Sequence, residues 1–209
     1  MDTFVPSQAR VAELVDALDS KSCVLKRRAG SSPAPGTHKR QPLRLSYLYI
    51  LAMSYVIRKA EPRDLGAVGN LLRQVLKLHH EGRPDLFKAE GKKYTDEELL
   101  AIFENPETPV FVYEAEGAVL GYIFCALQQA SSGSLRALQT LYIDDLCVDE
   151  KARGRHIGRA LFDFAKDFAR EQGCYNITLH VWACNPGARA FYEALGMKIQ
   201  YTSMENILQ

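Results

Sequence analysis

The chain has 209 residues, 47% hydrophobic and 24% charged, with a formal net charge of +1. This is the composition of one ordinary globular domain with room for a tail, and it excludes a fibrous or wholly disordered chain. Global charge gives no argument for nucleic acid or membrane, and no apolar run approaches the roughly 18 residues of a spanning helix.

Residues 1–52 differ from the rest. They hold eight Lys or Arg against four acids, and GSSPAPG at 30–36 has loop chemistry. ARVAELVDALDS could form an amphipathic helix, but nothing follows for it to pack on. Gly30-Ser31-Ser32-Pro33 can be encoded GGT TCG AGT CCN, which resembles the T-arm of a transfer RNA gene. The segment RVAELVDALDSKSCVLKRRAGSSPAPG is similar to peptides made when a bacterial tRNA gene is translated by mistake. Residues 1–52 are therefore expected to be spurious or disordered, with the true start at Met53 and the domain over 53–209. A transit peptide is the other alternative, and four acids argue against it.

From Met53 the elements are well punctuated. SYVIRKA reads as a strand. Pro62 opens a helix whose apolar positions run Leu65, Val68, Leu71, Leu72, Val75, Leu76 and Leu78. HHEGRPDLF, 79–87, reads as a loop. Thr95 is a helix N-cap for DEELLAIFEN, with Glu98 placed for a capping box. TPVFVYEAEGAVLGYIFCALQQ reads as two strands joined at Glu116-Gly117. SSGS is a loop, and LQTLYIDDLCVDE is a further strand. A helix over 157–172 puts Ile157, Leu161, Phe164, Ala165 and Phe168 on one side and stops at Gly173. CYNITLHVWA is a strand, 186–195 a short helix closed by Gly196, and MKIQYTSMENIL one or two closing strands. The mixture is α/β, without internal repeats. The five cysteines (Cys23, Cys125, Cys147, Cys174, Cys184) show no CxxC spacing, so neither a metal site nor a disulfide framework is expected, and a reducing cytoplasm is the expected compartment. Cys147 and Cys174 read as small core residues, and Trp182 as core.

One stretch resists a bland reading. EKARGRHIGRAL, 150–161, crowds Lys151, Arg153, Arg155 and Arg159 around a helix start, where the helix dipole disfavours cations. Unsatisfied N–H groups at such a terminus bind anions. Gly154 and Gly158 allow close backbone approach, and the arginines suit phosphate oxygens. A solvated basic surface, or a phosphate grip on RNA, would also explain the segment.

Arg153-Gly154-Arg155-His156-Ile157-Gly158 resembles the Gln/Arg-x-x-Gly-x-Gly/Ala signature of the GNAT superfamily of N-acetyltransferases. His156 stands where that family usually has its first glycine. A positive φ there would strain a histidine by about 1 kcal/mol; the favoured expectation is that only its N–H is used. Downstream, Asn185-Pro186-Gly187-Ala188-Arg189-Ala190-Phe191-Tyr192-Glu193-Ala194-Leu195-Gly196-Met197 resembles the family segment NxxAxxFYxxLGF. The resemblance spans about residues 55–207. It implies the GNAT fold: a mixed, mostly antiparallel sheet of six or seven strands flanked by about four helices.

It also implies acetyl-CoA as co-substrate, with no metal. Its pyrophosphate would lie over Arg153, Gly154, Arg155, His156, Ile157, Gly158 and Arg159, and its pantetheine arm along Leu146, Cys147 and Val148, near a β-bulge not visible in sequence. Asn185 would hold that arm or order its own turn, and Tyr192 would protonate the leaving thiolate. Freeing a lysine-like amine at neutral pH costs roughly 4–5 kcal/mol, so a carboxylate base is expected. YIDDLCV resembles the acidic-pair variant of polyamine acetyltransferases, which makes Asp144 the candidate base and Asp145 a substrate contact. Adjacent strand residues face opposite ways, so the two are not expected to share a task. His79 and His80 lie where relatives cap the acceptor site, although a solvated loop explains them as well. The acceptor is expected to be an amine, on a small molecule or a protein, and relatives are often homodimers. Nucleic acid and membrane are not expected partners. A non-catalytic acyl-CoA sensor and an RNA-binding role through the basic run are the alternative functions.

Overall fold

The computed structural model describes residues 55–129, 134 and 136–208, so the readings of 1–52 and most of the SSGS loop lie outside the described residues. In chain order the elements are β1 (Tyr55–Lys59), α1 (Leu65–Gly82), α2 (Asp96–Glu104), β2 (Val110–Ala115), β3 (Ala118–Gln129), β4 (Gln139–Val148), α3 (Ile157–Glu171), β5 (Asn176–Leu179) and α4 (Pro186–Ala194). Short 3-10 turns precede α1 and follow β4. The sheet runs β1-β2-β3-β4-β5, antiparallel up to β4, with β5 parallel to β4. Antiparallel neighbours need only short turns, whereas the parallel β4–β5 pair takes α3 as its crossover.

Local signals account for most boundaries. Glu116 and Gly117 both have positive φ, as a two-residue hairpin turn requires. Thr95 Oγ1 accepts from the Glu98 N–H while a Glu98 carboxylate oxygen accepts from the Thr95 N–H, closing the expected capping box. Gly173 and Gly196 end α3 and α4 in the left-handed region.

The sheet is buried on both faces. Phe111, Tyr113, Ile123, Cys125, Leu141, Ile143, Leu146 and Val148 pack under α3 and α4 with Leu161, Phe162, Ala165, Phe191 and Tyr192. Val110, Val112, Tyr122, Phe124 and Cys147 pack under α1 and α2 with Val68, Leu71, Leu72, Val75, Leu99 and Phe103. Strands covered on both sides need continuous apolar runs, and VFVY and YIFCAL are such runs. Arg58 closes the β1 edge, its guanidinium donating to Asp64 at 2.7 and 2.9 Å and to Glu114 at 2.8 Å.

Three expectations are corrected. The segment 79–87 is not all loop, because α1 continues through His79, His80 and Glu81 to Gly82. Pro84 disfavours helix only at the residue before it, Arg83. Five strands form among the described residues rather than six or seven, and 197–208 runs without a ladder. That tail leaves Ile199, Met204, Ile207 and Leu208 exposed and is tied down by side chains instead, Arg83 to Glu205 and Tyr201 to His180. Finally, β5 keeps only four residues of the strand expected over 174–183, because its pairing partner runs away from it.

Candidate active site

The site begins with that divergence. The β4–β5 ladder ends at Ile143↔Leu179, while β4 continues five residues further, to Val148. Along the other edge of β4, Phe124 pairs with Asp145 but Cys125 pairs with Ile143. Asp144 is therefore an extra residue, a β-bulge. The bulge resets the alternation of side chains. Leu141 and Ile143 lie in the α3-side core before it, and Leu146 and Val148 lie in the same core after it. Both intervening aspartates turn to the α1 side. The expectation that adjacency sends Asp144 and Asp145 to opposite faces is thus overturned, because the alternation rule holds only in regular strand.

The two carboxylates share one cation. Lys93 Nζ donates to Asp144 Oδ2 at 2.9 Å and to Asp145 Oδ2 at 3.5 Å. The Asp145 side chain is fully buried, that of Asp144 about 30% exposed, and that of Lys93 about 15%. Tyr122 donates to Asp145 at 3.2 Å, and Tyr94 to Asp144 at 3.4 Å. Tyr94 stacks on Phe124, with Lys93 Nζ 5.2 Å from the Tyr94 ring centre. Burial pushes Asp145 up to about 6, against the pull of Lys93, and the Asp144 charge adds to the rise. Burial opposes the Lys93 charge, but Asp145 and Asp144 outweigh it and hold the ammonium above the ordinary lysine range. Burial also pushes the Tyr94 phenol up to about 12 and raises Tyr122 well above the ordinary phenol value, so both stay neutral donors. Asp145 Oδ1 is buried with no partner among the described residues, an acceptor left over.

The basic run sits where β4 feeds α3. No acidic residue occupies the first turn of α3, and the His156 side chain does not cap it. The N–H groups of Ile157, Gly158 and Arg159 have no acceptor inside the helix. A Cβ added at Gly154 would meet nothing within 4 Å, so the loop is open to close approach. His156 has φ +60° and ψ 18°. The favoured expectation of an unstrained histidine is corrected: the left-handed backbone is real, and the family's glycine position needs it. The arginines divide. Arg153 folds back, Nε donating to the Val148 carbonyl at 3.4 Å. Arg155 and Arg159 instead line a groove of about 530 Å³ with His156, Tyr55, Tyr113 and Phe164 on the β1–β2 side of α3.

Tyr192 is 2% exposed in the α3-side core, 5.9 Å from Phe162 between ring centres. Its buried hydroxyl has no hydrogen-bond partner among the described residues, an arrangement that costs about 1–3 kcal/mol unless a ligand completes it. Asn185 is the N-cap of α4, its Oδ1 accepting from Ala188 N at 3.0 Å, so the turn-ordering half of its expected role is seen. His79 is 1% exposed and stacks on Phe87, and His80 Nδ1 lies 2.8 Å from the Phe87 carbonyl. Both histidines thus contact the α1–α2 connection rather than standing on a solvated loop. Trp182 is half-buried, edge-on to Phe87, and Cys147 is buried in the α1-side core.

Sequence reasoning missed Lys93, Tyr94 and Tyr122. The only sequence signal for Lys93 is a pair of lysines, KK, standing directly before Tyr94 and the acidic start of α2, which reads as ordinary helix charge compensation.

Three comparisons bear on this geometry. The model of the acetyltransferase (GNAT) family matches residues 72–197. An uncharacterized N-acetyltransferase of Methanocaldococcus jannaschii is 28% identical over 151 residues, covering 72% of this chain and 64% of its own length. The chain thus spans somewhat under two thirds of that relative. A second uncharacterized N-acetyltransferase, from Bacillus subtilis, is 30% identical over 141 residues, covering 67% of this chain and 87% of its own. A solved structure of a Bacillus halodurans protein superposes with a TM-score of 0.71 at 31% identity, covering 74% of this chain and 99% of its own.

Proposed function

The chain belongs to the acetyltransferase (GNAT) family, and on that premise we propose that it moves an acetyl group from acetyl-CoA to a primary amine by direct attack. The observation that carries the proposal is the bulge at Asp144. It turns two carboxylates to one face, where they already grip an ammonium, at the level where β4 and β5 part.

The residues fit an acyl-CoA. The strands part beyond Ile143, the start of α3 offers uncapped N–H groups beside an open Gly154, and Tyr192 carries a buried hydroxyl lacking a partner. The thioester, when bound, supplies an activated acyl carbon. In this reading the N–H groups from Gly154 to Arg159 hold phosphate, helped by Arg153, Arg155 and Arg159. Leu146, Cys147 and Val148 present the strand backbone to the pantetheine arm, with Asn185 at its far side. Asp144, the more exposed acid, takes the proton from the attacking ammonium. Asp145, buried behind it, stabilises that ammonium as a counter-charge rather than by open contact. Tyr192 gives its proton to the departing sulfur, a mildly uphill transfer from phenol to thiolate.

The acceptor class stays that of a primary amine, on a small molecule or a protein. His79 and His80 shape its approach through Phe87, and neither is a base in this reading. A cytoplasmic setting is supported by Cys125, Cys147, Cys174 and Cys184 carrying free thiols. Five large apolar side chains exposed over 199–208 (Ile199, Tyr201, Met204, Ile207, Leu208) support association with a second copy.

The test is calorimetric titration of the full chain with acetyl-CoA, beside Arg155→Ala, followed by thiol release with an amine panel. Micromolar binding that the substitution weakens about tenfold, with amine-dependent thiol release, supports the reading. Binding without release on any amine would favour an acyl-CoA sensor, and no binding would overturn both.

A further inference from the structure

Lys93 stands where an acceptor would. Its Nζ lies 2.9 Å from the oxygen of Asp144 that the preceding reading makes the base, and 3.5 Å from Asp145. It comes from the segment joining α1 to α2 and is largely shielded, while its neighbour Lys92 is about 55% exposed and pairs with Asp96 instead. No other lysine is ion-paired to either aspartate among the described residues. The arrangement is that of a primary amine bound in an amine site, with the difference that the amine belongs to the protein.

We propose that Lys93 is a self-modification site: in the absence of an external acceptor, the acetyl group of the bound thioester is transferred to Lys93 Nζ. The inference rests on the acetyl-transfer reading above. In the step, the ammonium yields one proton to the Asp144 carboxylate. The neutral nitrogen forms a bond to the acyl carbon, the carbon–sulfur bond breaks, the sulfur leaves with the proton of Tyr192, and the second proton shed by the nitrogen as the amide forms restores the Tyr192 phenol. The products are an uncharged amide at Lys93 and free thiol. No oxidant, metal or second co-reactant is needed.

Two consequences follow from the geometry. The amide carries one N–H where the ammonium carried three, so the acid pair loses its cation, and buried Asp145 is left without a counter-charge. An external amine competes with Lys93 for the same two carboxylates, so acceptor protects Lys93 from modification.

The discriminating feature is that the position most shielded from solvent should react first. Spontaneous acetylation by a thioester favours exposed amines, and Lys77 and Lys92 are about 76% and 55% exposed against about 15% for Lys93. The experiment incubates the full chain with acetyl-CoA and no amine, and follows each lysine by peptide mass spectrometry over time. The expected result is Lys93 acetylated well ahead of Lys77 and Lys92, at a rate independent of protein concentration. Asp144→Asn should slow it about a hundredfold while leaving Lys92 unchanged. Heat-denatured wild type, which needs no folded variant, should lose the preference altogether.

Lys77 or Lys92 reacting ahead of Lys93, or a rate that scales with protein concentration, would overturn the proposal. Lys93 left unmodified when acetyl-CoA is supplied without amine, by protein that does release thiol once an amine is added, would also overturn it, and would leave the acetyl-transfer reading standing. Failure to bind acetyl-CoA would remove both.

Discussion

Replacing Lys93 by methionine removes the only cation ion-paired to the buried Asp145 among the described residues, and the structure bounds what that costs. Breaking a buried pair from one side typically costs about 3–5 kcal/mol. Asp145, however, can escape by taking a proton. Its folded pKa is already raised to about 6, chiefly by burial, above its unfolded value of about 3.9. A raised carboxylate makes the folded state bind protons more tightly than the unfolded one, so stability falls as pH rises from about 4 toward 6. Without Lys93 the pKa rises further, and the loss continues to higher pH. The added cost cannot exceed that of protonating Asp145 from its wild-type poise, about 1.4 kcal/mol per pH unit above 6. At pH 8 the ceiling is therefore about 3 kcal/mol, and at pH 5 it is near zero. Methionine keeps the length and apolar body of the stem, so little packing is lost. Urea unfolding of wild type and Lys93→Met at about pH 8 and pH 5 measures both ends, and each kcal/mol corresponds to about 2–4 °C in thermal midpoint for a chain of this size. A loss equal at both pH values would refute the reasoning, since packing rather than charge would then be responsible.

The remaining predictions are shorter. His156→Gly relieves a left-handed non-glycine backbone and should stabilise by about 0.5–1 kcal/mol in denaturant titration, with His156→Ala giving no gain. Gly121→Ala should destabilise by about 1–3 kcal/mol, because its Cβ would lie 2.8 Å from the Cys147 carbonyl oxygen, with Ile157 and Leu161 side chains at 3.3 and 3.2 Å; an unchanged midpoint would contradict this. Tyr192→Phe removes a hydroxyl that has no protein partner among the described residues, so the fold should be unharmed or slightly more stable while the turnover number falls about a hundredfold at unchanged KM. A drop in stability together with activity would assign Tyr192 to packing alone.

The sequence by itself determined what depends on neighbours along the chain. The hairpin at Glu116-Gly117, the capping box of Thr95 and Glu98, the stops at Gly173 and Gly196, and the opening of α3 at Ile157 are all matters of a few adjacent residues, and all appear as read. The family resemblance was legible for the same reason, since 153–158 and 185–197 are contiguous stretches. What tertiary structure alone decided depends on pairing between distant residues. The bulge at Asp144 is a property of the β3–β4 register, and no feature of YIDDLCV announces it. Lys93 meets its carboxylates across about 50 residues of sequence, and His79 is buried because Phe87 folds back over the last turn of α1. The positive φ of His156 is imposed by the route from β4 into α3, against the side chain's own preference. The tail at 197–208 has strand-like residues yet forms no strand. A strand exists only where a partner edge offers its N–H and C=O groups, and alternating side chains cannot supply that partner.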